Sequence, residues 1–400
     1  MAEHNDLMLA PEGTENRSLI DSLVGEFRRR FDQDPRVFFA PGRVNLIGAH
    51  LDYNGGSVLP APIARGTYVA VARTVDRRMR LASMDLPRTL DFPLSDVPSV
   101  EDLGWAAYPV GVWRLGNGAE PADICVAGDL PRGAGLSSSA SLEVAAGLAF
   151  STLFGWSLDA RQLAELAWRA ENEFVGVKCG IMDQFASSLA REGHALYLDC
   201  HDRSHRHVQV SGEIELLVLN TGKPRQLVGS EFNERVEQCR SALGTLRRSS
   251  PGKTCLASFQ PSEVEAARGQ LDDIAYRRAR HVASESLRVS KAMAALEDGD
   301  YETLGRQLLE SHRSAAEDYE VSCPELDFLV EKICAQRGVY GARLTGAGFG
   351  GCVVALQRPG SVGKEEERSL RRGFSQRFGY EPVLMRLRIG GGPREVRIES

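Results

Sequence analysis

The stretch ADICVAGDLPRGAGLSSSASLEVAAGLAFSTLF, at residues 122–154, most constrains what this chain can fold into. It begins with an apolar run that predicts a strand, breaks at Pro131 and the glycines that follow, and continues with the apolar spacing of a helix. Serines lie between the glycines and the helix, and serine is a typical N-cap residue. A glycine loop before a helix presents free N–H groups at the positive end of the helix dipole, which favours phosphate. The stretch therefore predicts a phosphate-binding loop or, alternatively, a turn of small residues that packs a helix on a sheet.

The glycine loop lacks the signatures of two common nucleotide-binding loops. No Gly-Lys-Ser/Thr follows the glycines, so the loop is not of the Walker A type. The third glycine of the dinucleotide-binding fingerprint is also missing. Its chemistry must therefore be inferred from the rest of the chain.

Composition excludes several classes of function. The chain has 400 residues, which predicts two lobes, and a net charge of -6 without a basic tract, so nucleic acid is not an expected partner. No apolar run reaches the roughly 18 residues of a membrane span, so a membrane is not expected either. The acidic residues 1–16 do not resemble a signal peptide and predict a flexible leader. Eight scattered cysteines without a CxxC pair predict reduced thiols and a cytoplasmic location.

Hydrophobic periodicity predicts an α+β protein with a β-rich start and a more helical second half. We place a leader at 1–16, a sugar- and phosphate-binding lobe at 17–204 and a C-terminal α+β lobe at 205–400. Helical spacing is found at residues 18–31, 159–174, 181–189, 231–246, 276–296 and 304–316. Strands are predicted at residues 37–39, 67–72, 124–127, 195–199, 214–220 and 381–387.

A polar insert lies between the first two predicted strands, where Gly42 and later glycines predict turns. A sugar needs such a set of polar side chains, because each buried hydroxyl must find hydrogen-bond partners. The alternative is a polar hairpin with one buried ion pair. The insert contains Arg43, Asn45, His50, Asp52, Tyr53 and Asn54.

Two acidic residues follow the glycine loop at positions of interest. Glu171 lies near the end of one predicted helix, and Asp183 lies just beyond Gly180, near the N-terminus of the next. Taken alone, Asp183 is better explained as a helix-capping residue with Arg43 as a structural partner. Glu171 alone is equally explained as a solvated helix acid.

Four motifs together resemble one family. Residues 40–56, APGRVNLIGAHLDYNGG, resemble the sugar signature of galactokinases, and residues 133–140, GAGLSSSA, resemble the phosphate loop of the wider galactokinase, homoserine, mevalonate and phosphomevalonate (GHMP) kinases. Residues 179–185, CGIMDQF, are similar to the galactokinase catalytic segment, and residues 344–352, LTGAGFGGC, to its third motif. The resemblance extends from about residue 36 to about residue 387, and several motifs in order are far more specific than one glycine loop.

The resemblance implies a two-lobed α+β fold with the active site in the cleft between the lobes. It implies transfer of the ATP γ-phosphoryl group to the anomeric hydroxyl of a hexose. Asp183 would be the general base, with Arg43 beside it to neutralise charge on the transferring group. Mg²⁺ would be held by Ser139, or by its neighbour Ser138, together with Glu171.

The family match also implies three sets of contacts. The ATP phosphates would lie against Gly133, Ala134, Gly135, Leu136, Ser137, Ser138, Ser139 and Ala140. The sugar would lie against Arg43, Ala49, His50, Asp52, Lys178, Gly180, Asp183 and Phe232. A third-motif loop would close near both ligands through Gly346, Ala347 and Gly348.

Three positions depart from the family pattern. Ala49 replaces the Glu that reaches the sugar C6 hydroxyl, Phe232 replaces a Tyr that reaches a ring hydroxyl, and Lys178 adds a cation. A missing anion and an added cation favour a carboxylate at C6, and galacturonokinases also have Gly-Ala-His at this place. The sequence therefore leaves galacturonate and galactose nearly equal as substrates, with galacturonate slightly ahead.

A function of another class is a sugar sensor that binds ATP and sugar without catalysis. The intact GLSSSAS loop, together with Asp183, Arg43 and Glu171, favours the kinase instead. The expected ligands are a small sugar and MgATP, and the expected state is a monomer or a weak homodimer.

Overall fold

The computed structural model describes residues 16–131, 135–210, 212–223 and 228–398. These residues form twelve strands and twelve α-helices, with a few short 3₁₀ turns. The strands are β1 (Arg36–Ile47), β2 (Ser57–Arg73), β3 (Arg78–Ser83), β4 (Leu86–Pro93), β5 (Ala122–Gly128), β6 (His194–Asp199), β7 (His205–Gln209), β8 (Glu215–Asn220), β9 (Val339–Thr345), β10 (Cys352–Gln357), β11 (Val383–Leu387) and β12 (Arg394–Val396). The helices are α1 (Arg17–Phe31), α2 (Val100–Leu103), α3 (Ala107–Leu115), α4 (Ser138–Phe154), α5 (Ala160–Arg169), α6 (Met182–Ser188), α7 (Val228–Leu246), α8 (Pro261–Ala266), α9 (Asp273–Glu297), α10 (Tyr301–Glu317), α11 (Pro324–Cys334) and α12 (Lys364–Phe378).

Two mixed α/β layers carry the fold. The larger sheet has the strand order β12-β1-β2-β5-β3-β4, and β6 and β7 extend it through β2. The smaller sheet has the order β11-β8-β10-β9. The described strand pairs are antiparallel except β3 with β5, which is parallel. The predicted two-lobed α+β architecture is confirmed, whereas the division at residue 204 stays a prediction.

Successive side chains along the strands of the larger sheet pack into two different hydrophobic cores. On β1, Phe38 packs in a cluster with residues of α3, α4 and α5, whereas Phe39 packs with residues of α1. On β2, Val69 and Tyr68 divide in the same way. Successive side chains of a strand point to opposite faces, so this sheet is covered by helices on both sides.

The smaller sheet shares its core with the sugar-motif end of the larger one. Leu344 of β9 and Val354 of β10 belong to the same buried cluster as Leu308 of α10 and Leu329 of α11. The cluster continues to Val44 of β1, so the two lobes are joined through packed side chains. None of the described helices combines the length and the apolarity that crossing a lipid bilayer requires.

One local prediction is wrong and another is refined, each for an identifiable reason. Gly42 does not form a turn but lies within β1 at a register shift, where a Cβ atom would come within 2.6 Å of the Leu136 carbonyl oxygen. The helix predicted at 159–174 is confirmed, but it is α-helical only over Ala160–Arg169 and changes to a π-helical segment over Ala170–Val175. Such segments often occur at functional sites, and this one carries Glu171.

Candidate active site

The central feature of the site is an ion pair between Asp183 in the first turn of α6 and Arg43 of β1. Arg43 Nη2 lies 2.6 and 2.7 Å from the two carboxylate oxygens of Asp183, and Arg43 Nε lies 2.8 Å from Oδ1. Arg43 is buried, whereas the Asp183 side chain is 29% exposed. The bidentate geometry fixes the carboxylate while leaving it accessible to a ligand.

The glycine loop is attached directly to this pair. Arg43 Nη1 donates to the Gly135 carbonyl at 2.7 Å, and Ser137 Oγ donates to Asp183 Oδ2 at 2.6 Å. Ser137 occupies the N-cap position of α4 with φ +62°, but its side chain makes no cap hydrogen bond, unlike the serine cap that the sequence predicts. The hydroxyl turns to Asp183 instead, so the helix N-terminus keeps free N–H groups for an anion. Gly133 and Ala134 lie outside the described residues.

The buried carboxyl groups of Glu171 and Glu143 lie near Asp183. Ser139 donates a hydrogen bond to Glu171, and Gln184 Nε2 donates to Glu171 Oε2 at 2.5 Å and to Glu143 Oε2 at 3.0 Å. Burial and then the charge of Asp183 raise the pKa of Glu171, and burial and then Glu171 raise the pKa of Glu143. Two carboxyl groups that destabilise one another in this way are stabilised by a cation.

The donor set fits a magnesium ion shared with phosphate. Glu143 Oε1 is buried without a hydrogen-bond partner in the described part of the chain, so an acceptor oxygen remains for a ligand. The described residues contain no group of three or more His, Cys, Asp or Glu side chains that could hold a metal by themselves. Mg²⁺ typically uses one or two carboxylates together with substrate phosphates and water, as this arrangement would provide.

The sugar motif contributes a neutral histidine. His50 is buried with φ +58°, and its Nδ1 lies 2.8 Å from the Tyr53 hydroxyl. Burial and then the nearby His281 lower the pKa of His50 to about 3. His50 Nε2 is buried and has no partner among the residues described, so it is available to a ligand.

Asp52 and Gly180 are packed against one another beside the catalytic pair. Burial and then the charge of Asp183 raise the pKa of Asp52 to about 6. A Cβ atom at Gly180 would lie 2.0 Å from Asp52 Oδ2, so this approach requires glycine. Asp52 is thereby held as a hydrogen-bond acceptor close to Asp183.

A single cavity of about 730 Å³ brings these groups together. Ala49, Phe232 and Lys178 line it with the sugar-motif residues, and Gly135, Leu136, Ser137, Ser138, Ser139 and Glu171 line its phosphate end. Gly346 and Ala347 also line it, whereas Ala140 and Gly348 do not.

The third-motif loop approaches the glycine loop closely. A Cβ atom at Gly346, where φ is +83°, would lie 3.2 Å from the Gly135 carbonyl oxygen. At Gly348, where φ is +85°, it would lie 2.2 Å from the Val321 carbonyl oxygen. Gly346 therefore brings the C-terminal lobe against the phosphate loop, and Gly348 has a packing role.

Sequence reasoning missed Glu285 of α9, which anchors the sugar motif from the other lobe. Its Oε1 accepts from the backbone N–H groups of Gly48 and Ala49 at 3.0 and 2.9 Å. His281 Nε2 lies 3.1 Å from the Ala49 carbonyl oxygen. The signal was present, because polar residues four positions apart share one face of a helix that is otherwise apolar there.

Comparisons with known proteins agree with this geometry. Residues 25–73 match the galactokinase galactose-binding signature, residues 107–191 the GHMP kinases N terminal domain and residues 292–376 the GHMP kinases C terminal domain. A galactokinase of Roseiflexus sp. is 43% identical over 350 residues, covering 85% of this chain and 89% of that protein. A galactokinase of Clostridium beijerinckii is 36% identical, covering 94% and 99%.

Solved structures give the same result. The structure of Lactococcus lactis galactokinase complexed with galactose has a TM-score of 0.89 at 33% identity and covers 94% of this chain and 100% of its own. The Methanococcus jannaschii mevalonate kinase has a TM-score of 0.64 at 19% identity, covers 88% of this chain and 98% of its own, and shares the fold. The chain therefore belongs to the galactokinase family of the GHMP kinases and is a sugar kinase that uses ATP.

Proposed function

We propose that this protein transfers the γ-phosphoryl group of ATP to the C1 hydroxyl of D-galactose. The observation that carries the proposal is the Asp183–Arg43 pair, which lies where the phosphate loop meets the sugar motif in one cavity. The galactose-binding signature at residues 25–73 supports the choice of sugar. A cytoplasmic location and a monomeric or weakly dimeric state stay predictions from the sequence.

The proposed reaction uses Asp183 as a general base. Asp183 accepts the proton of the C1 hydroxyl, the sugar oxygen forms a bond to the γ-phosphorus, and the bond from that phosphorus to the bridging oxygen of ADP breaks. Arg43 orients the Asp183 carboxylate through two nitrogen atoms and places a positive charge beside the transferring group. Ser137 links the carboxylate to the phosphate loop, so base and nucleotide keep a fixed relation.

The nucleotide would bind at the N-terminus of α4. Gly135 and the serines at 137–139 line this end of the cavity, and the free N–H groups of α4 favour phosphate oxygens. Ser139 and Glu171 would hold Mg²⁺, and Gln184, which also donates to Glu143, would orient Glu171. When bound, this ion neutralises charge on the phosphates and orients them.

The contacts of Ala49 favour galactose over galacturonate. Lys178 is exposed and lines both the main cavity, together with Ala49, and an adjoining cavity of about 410 Å³ on the Asp52 side, which Ala49 does not line. The Ala49 N–H is bonded to the buried Glu285 carboxylate, which disfavours a second carboxylate there, although Arg288 and Arg343 offset part of its charge. The combined action of Ala49 and Lys178, on which the galacturonate hypothesis depends, therefore lacks support.

A sugar panel tests the proposed function. ADP release would be measured with galactose, galacturonate, glucose and no sugar, and kcat/KM compared in the parent and in Ala49→Glu. We expect galactose to give the highest kcat/KM in the parent. A parent that prefers galacturonate, with Ala49→Glu reversing the order, would replace galactose by the acidic sugar. Tight binding of ATP and sugar without any ADP release would indicate a sensor.

The proposed magnesium ligands predict a selective loss of nucleotide affinity. Removal of residues that only orient a metal ligand typically costs about 10–100-fold in metal affinity, so the double variant Ser139→Ala with Glu171→Gln should weaken MgATP binding at least tenfold. Galactose binding should stay nearly unchanged. Glu173→Gln is the matched control, because Glu173 lies in the same π-helical segment but pairs with Arg169 at the surface. Calorimetry that finds parental MgATP affinity in the double variant would remove this site.

The raised pKa of Asp52 predicts a pH dependence. Its pKa of about 6 means that the carboxylate is ionised above that pH and accepts sugar hydroxyls, whereas below it a proton occupies one acceptor oxygen. We expect kcat/KM for galactose to fall as the pH decreases through about 6. Rate profiles of the parent and of Asp52→Asn check this. The same inflection in both proteins would assign the titration to another group.

A further inference from the structure

A chain of hydroxyl groups leads away from the sugar site behind His50. His50 Nδ1 lies 2.8 Å from Tyr53 Oη, and Tyr53 Oη lies 2.7 Å from Tyr319 Oη. Tyr319 Oη in turn lies 3.0 Å from Cys239 Sγ. Tyr319 and Cys239 are buried. Tyr319 lies just beyond the end of α10, and Cys239 lies in α7, both in the C-terminal lobe. Four polar groups from three segments thus form one chain of hydrogen bonds that ends on the histidine ring.

Chemistry decides the direction in which the protons of this chain point. An imidazole nitrogen is a strong acceptor, whereas a thiol sulfur is a weak one. If Tyr53 donates to His50 Nδ1, then Tyr319 donates to Tyr53 and the Cys239 thiol donates to Tyr319, so each group gives its one proton. The reverse direction would end on the sulfur, which is the weakest acceptor of the four groups. Hydrogen bonds in one direction also strengthen each other, so the first arrangement is favoured.

We propose that Tyr53 and Tyr319 are positioning residues that hold His50 in the tautomer with its proton on Nε2, so that Nε2–H donates to an oxygen of the sugar. The proposal rests on the proposed function, since it concerns how the same site recognises a polyol. Nε2 is buried and has no protein partner among the described residues, and His50 and Asp52 line the same cavity. A hydroxyl that accepts from Nε2–H is free to donate its own proton to Asp52.

Phe232 does not change the direction of the protons in this hydrogen-bond chain. Its ring centroid lies 5.3 Å from that of Tyr53 and 6.0 Å from that of His50. Phe232 has no hydroxyl, so it packs beside Tyr53 and His50 without offering either of them another hydrogen-bond partner. Among the described residues, Tyr53 is then the one hydrogen-bond partner of the His50 ring.

The tautomer is measured directly by ¹⁵N NMR of the imidazole rings in histidine-labelled protein without ligand. Comparison with His50→Gln assigns the His50 signals among the eight histidines. We expect a protonated Nε2 and an unprotonated Nδ1 in the parent. In Tyr53→Phe, Nδ1 loses its donor, and we expect a mixture of tautomers. A parent spectrum with the proton on Nδ1 would overturn the proposal, whatever the variants do.

Kinetics supply the second test. Loss of one hydrogen bond to a ligand typically weakens binding by about tenfold, so Tyr319→Phe should raise the KM for galactose by about that factor and leave the KM for ATP unchanged. Tyr340→Phe is the matched control, because the Tyr340 hydroxyl accepts a hydrogen bond from Arg358 at the surface, away from the cavity. An unchanged KM and tautomer in Tyr319→Phe would contradict the positioning role. A parent without galactose turnover would instead contradict the proposed function, and the NMR result would stand apart from it.

Discussion

Replacement of Asp183 by Asn is expected to lower kcat for sugar phosphorylation by about 10²–10⁴-fold while ATP and galactose still bind. Asn has the shape of Asp but cannot accept the proton of the C1 hydroxyl. Its amide can still contact Arg43 and Ser137, which lie within 2.8 Å of the carboxylate, so the loop stays in place. Coupled ADP release gives kcat, and calorimetry gives both affinities.

The control for Asp183→Asn is Asp273→Asn. Asp273 also lies in the first turn of a helix and also pairs with an arginine, Arg277, at 3.3 Å, but its side chain is 72% exposed. This control removes the same charge from the same kind of helix position. We expect it to keep parental turnover, because the Asp273 side chain is exposed at the surface. Turnover of Asp183→Asn within a few-fold of the parent would show that Asp183 is not the base.

Much of the fold could be predicted because the helices and strands carry clear periodicity. The predicted helix at 276–296 lies within α9, and the predicted strand at 124–127 lies within β5. Errors arose where tertiary contacts override local preference. Glycine is typical of turns, but Gly42 lies within a continuous strand. Glycine is needed there because the neighbouring Leu136 carbonyl leaves no room for a side chain. Helices α11 and α12 were missed.

The identity of the site residues could be predicted, but their couplings could not. Motifs indicated Arg43, Asp183 and the serine loop, and these residues line one cavity. The bond from Ser137 to Asp183 joins residues 46 apart, and sequence rules predicted a helix cap for that serine instead. Helix-capping rules consider only local partners, so they cannot anticipate a carboxylate brought in by another element.

Glu143 shows the same limit for a buried acid. Acidic residues of a helix are mostly exposed to solvent. The side chain is instead fully buried and accepts from Gln184, which also contacts Glu171. Periodicity could not reveal this, because small residues around Glu143 leave nearly the whole start of α4 buried.

Glu285 connects the two lobes through a buried ionic cluster. Its carboxylate accepts from the N–H groups of Gly48 and Ala49, from Ser311 Oγ at 2.6 Å and from Arg288 Nε at 2.7 Å. Burial alone would raise the pKa of Glu285, but the charges of Arg288 and the buried Arg343 hold it well below its ordinary value. A carboxyl group with a lowered folded-state pKa stabilises fully above its unfolded-state value, and that contribution is lost in acid.

Glu285→Ala is therefore expected to lower the free energy of unfolding by about 3–5 kcal/mol at neutral pH, because it removes the ion-pair partner of Arg288 and the negative charge that compensates the buried Arg343. It also leaves the Gly48 and Ala49 N–H groups unpaired, so the KM for galactose should rise more than the KM for ATP.

Glu297→Ala on the same helix is the control. Its partner Arg206 is about half exposed, and such surface pairs contribute only about 0–1 kcal/mol. Urea unfolding at pH 7 and at pH 4 would measure both variants, and the difference between parent and Glu285→Ala should shrink at the lower pH. Equal stability of the two variants at pH 7 would mean that the cluster contributes no more than a surface ion pair, and the sugar motif would then be held by packing alone.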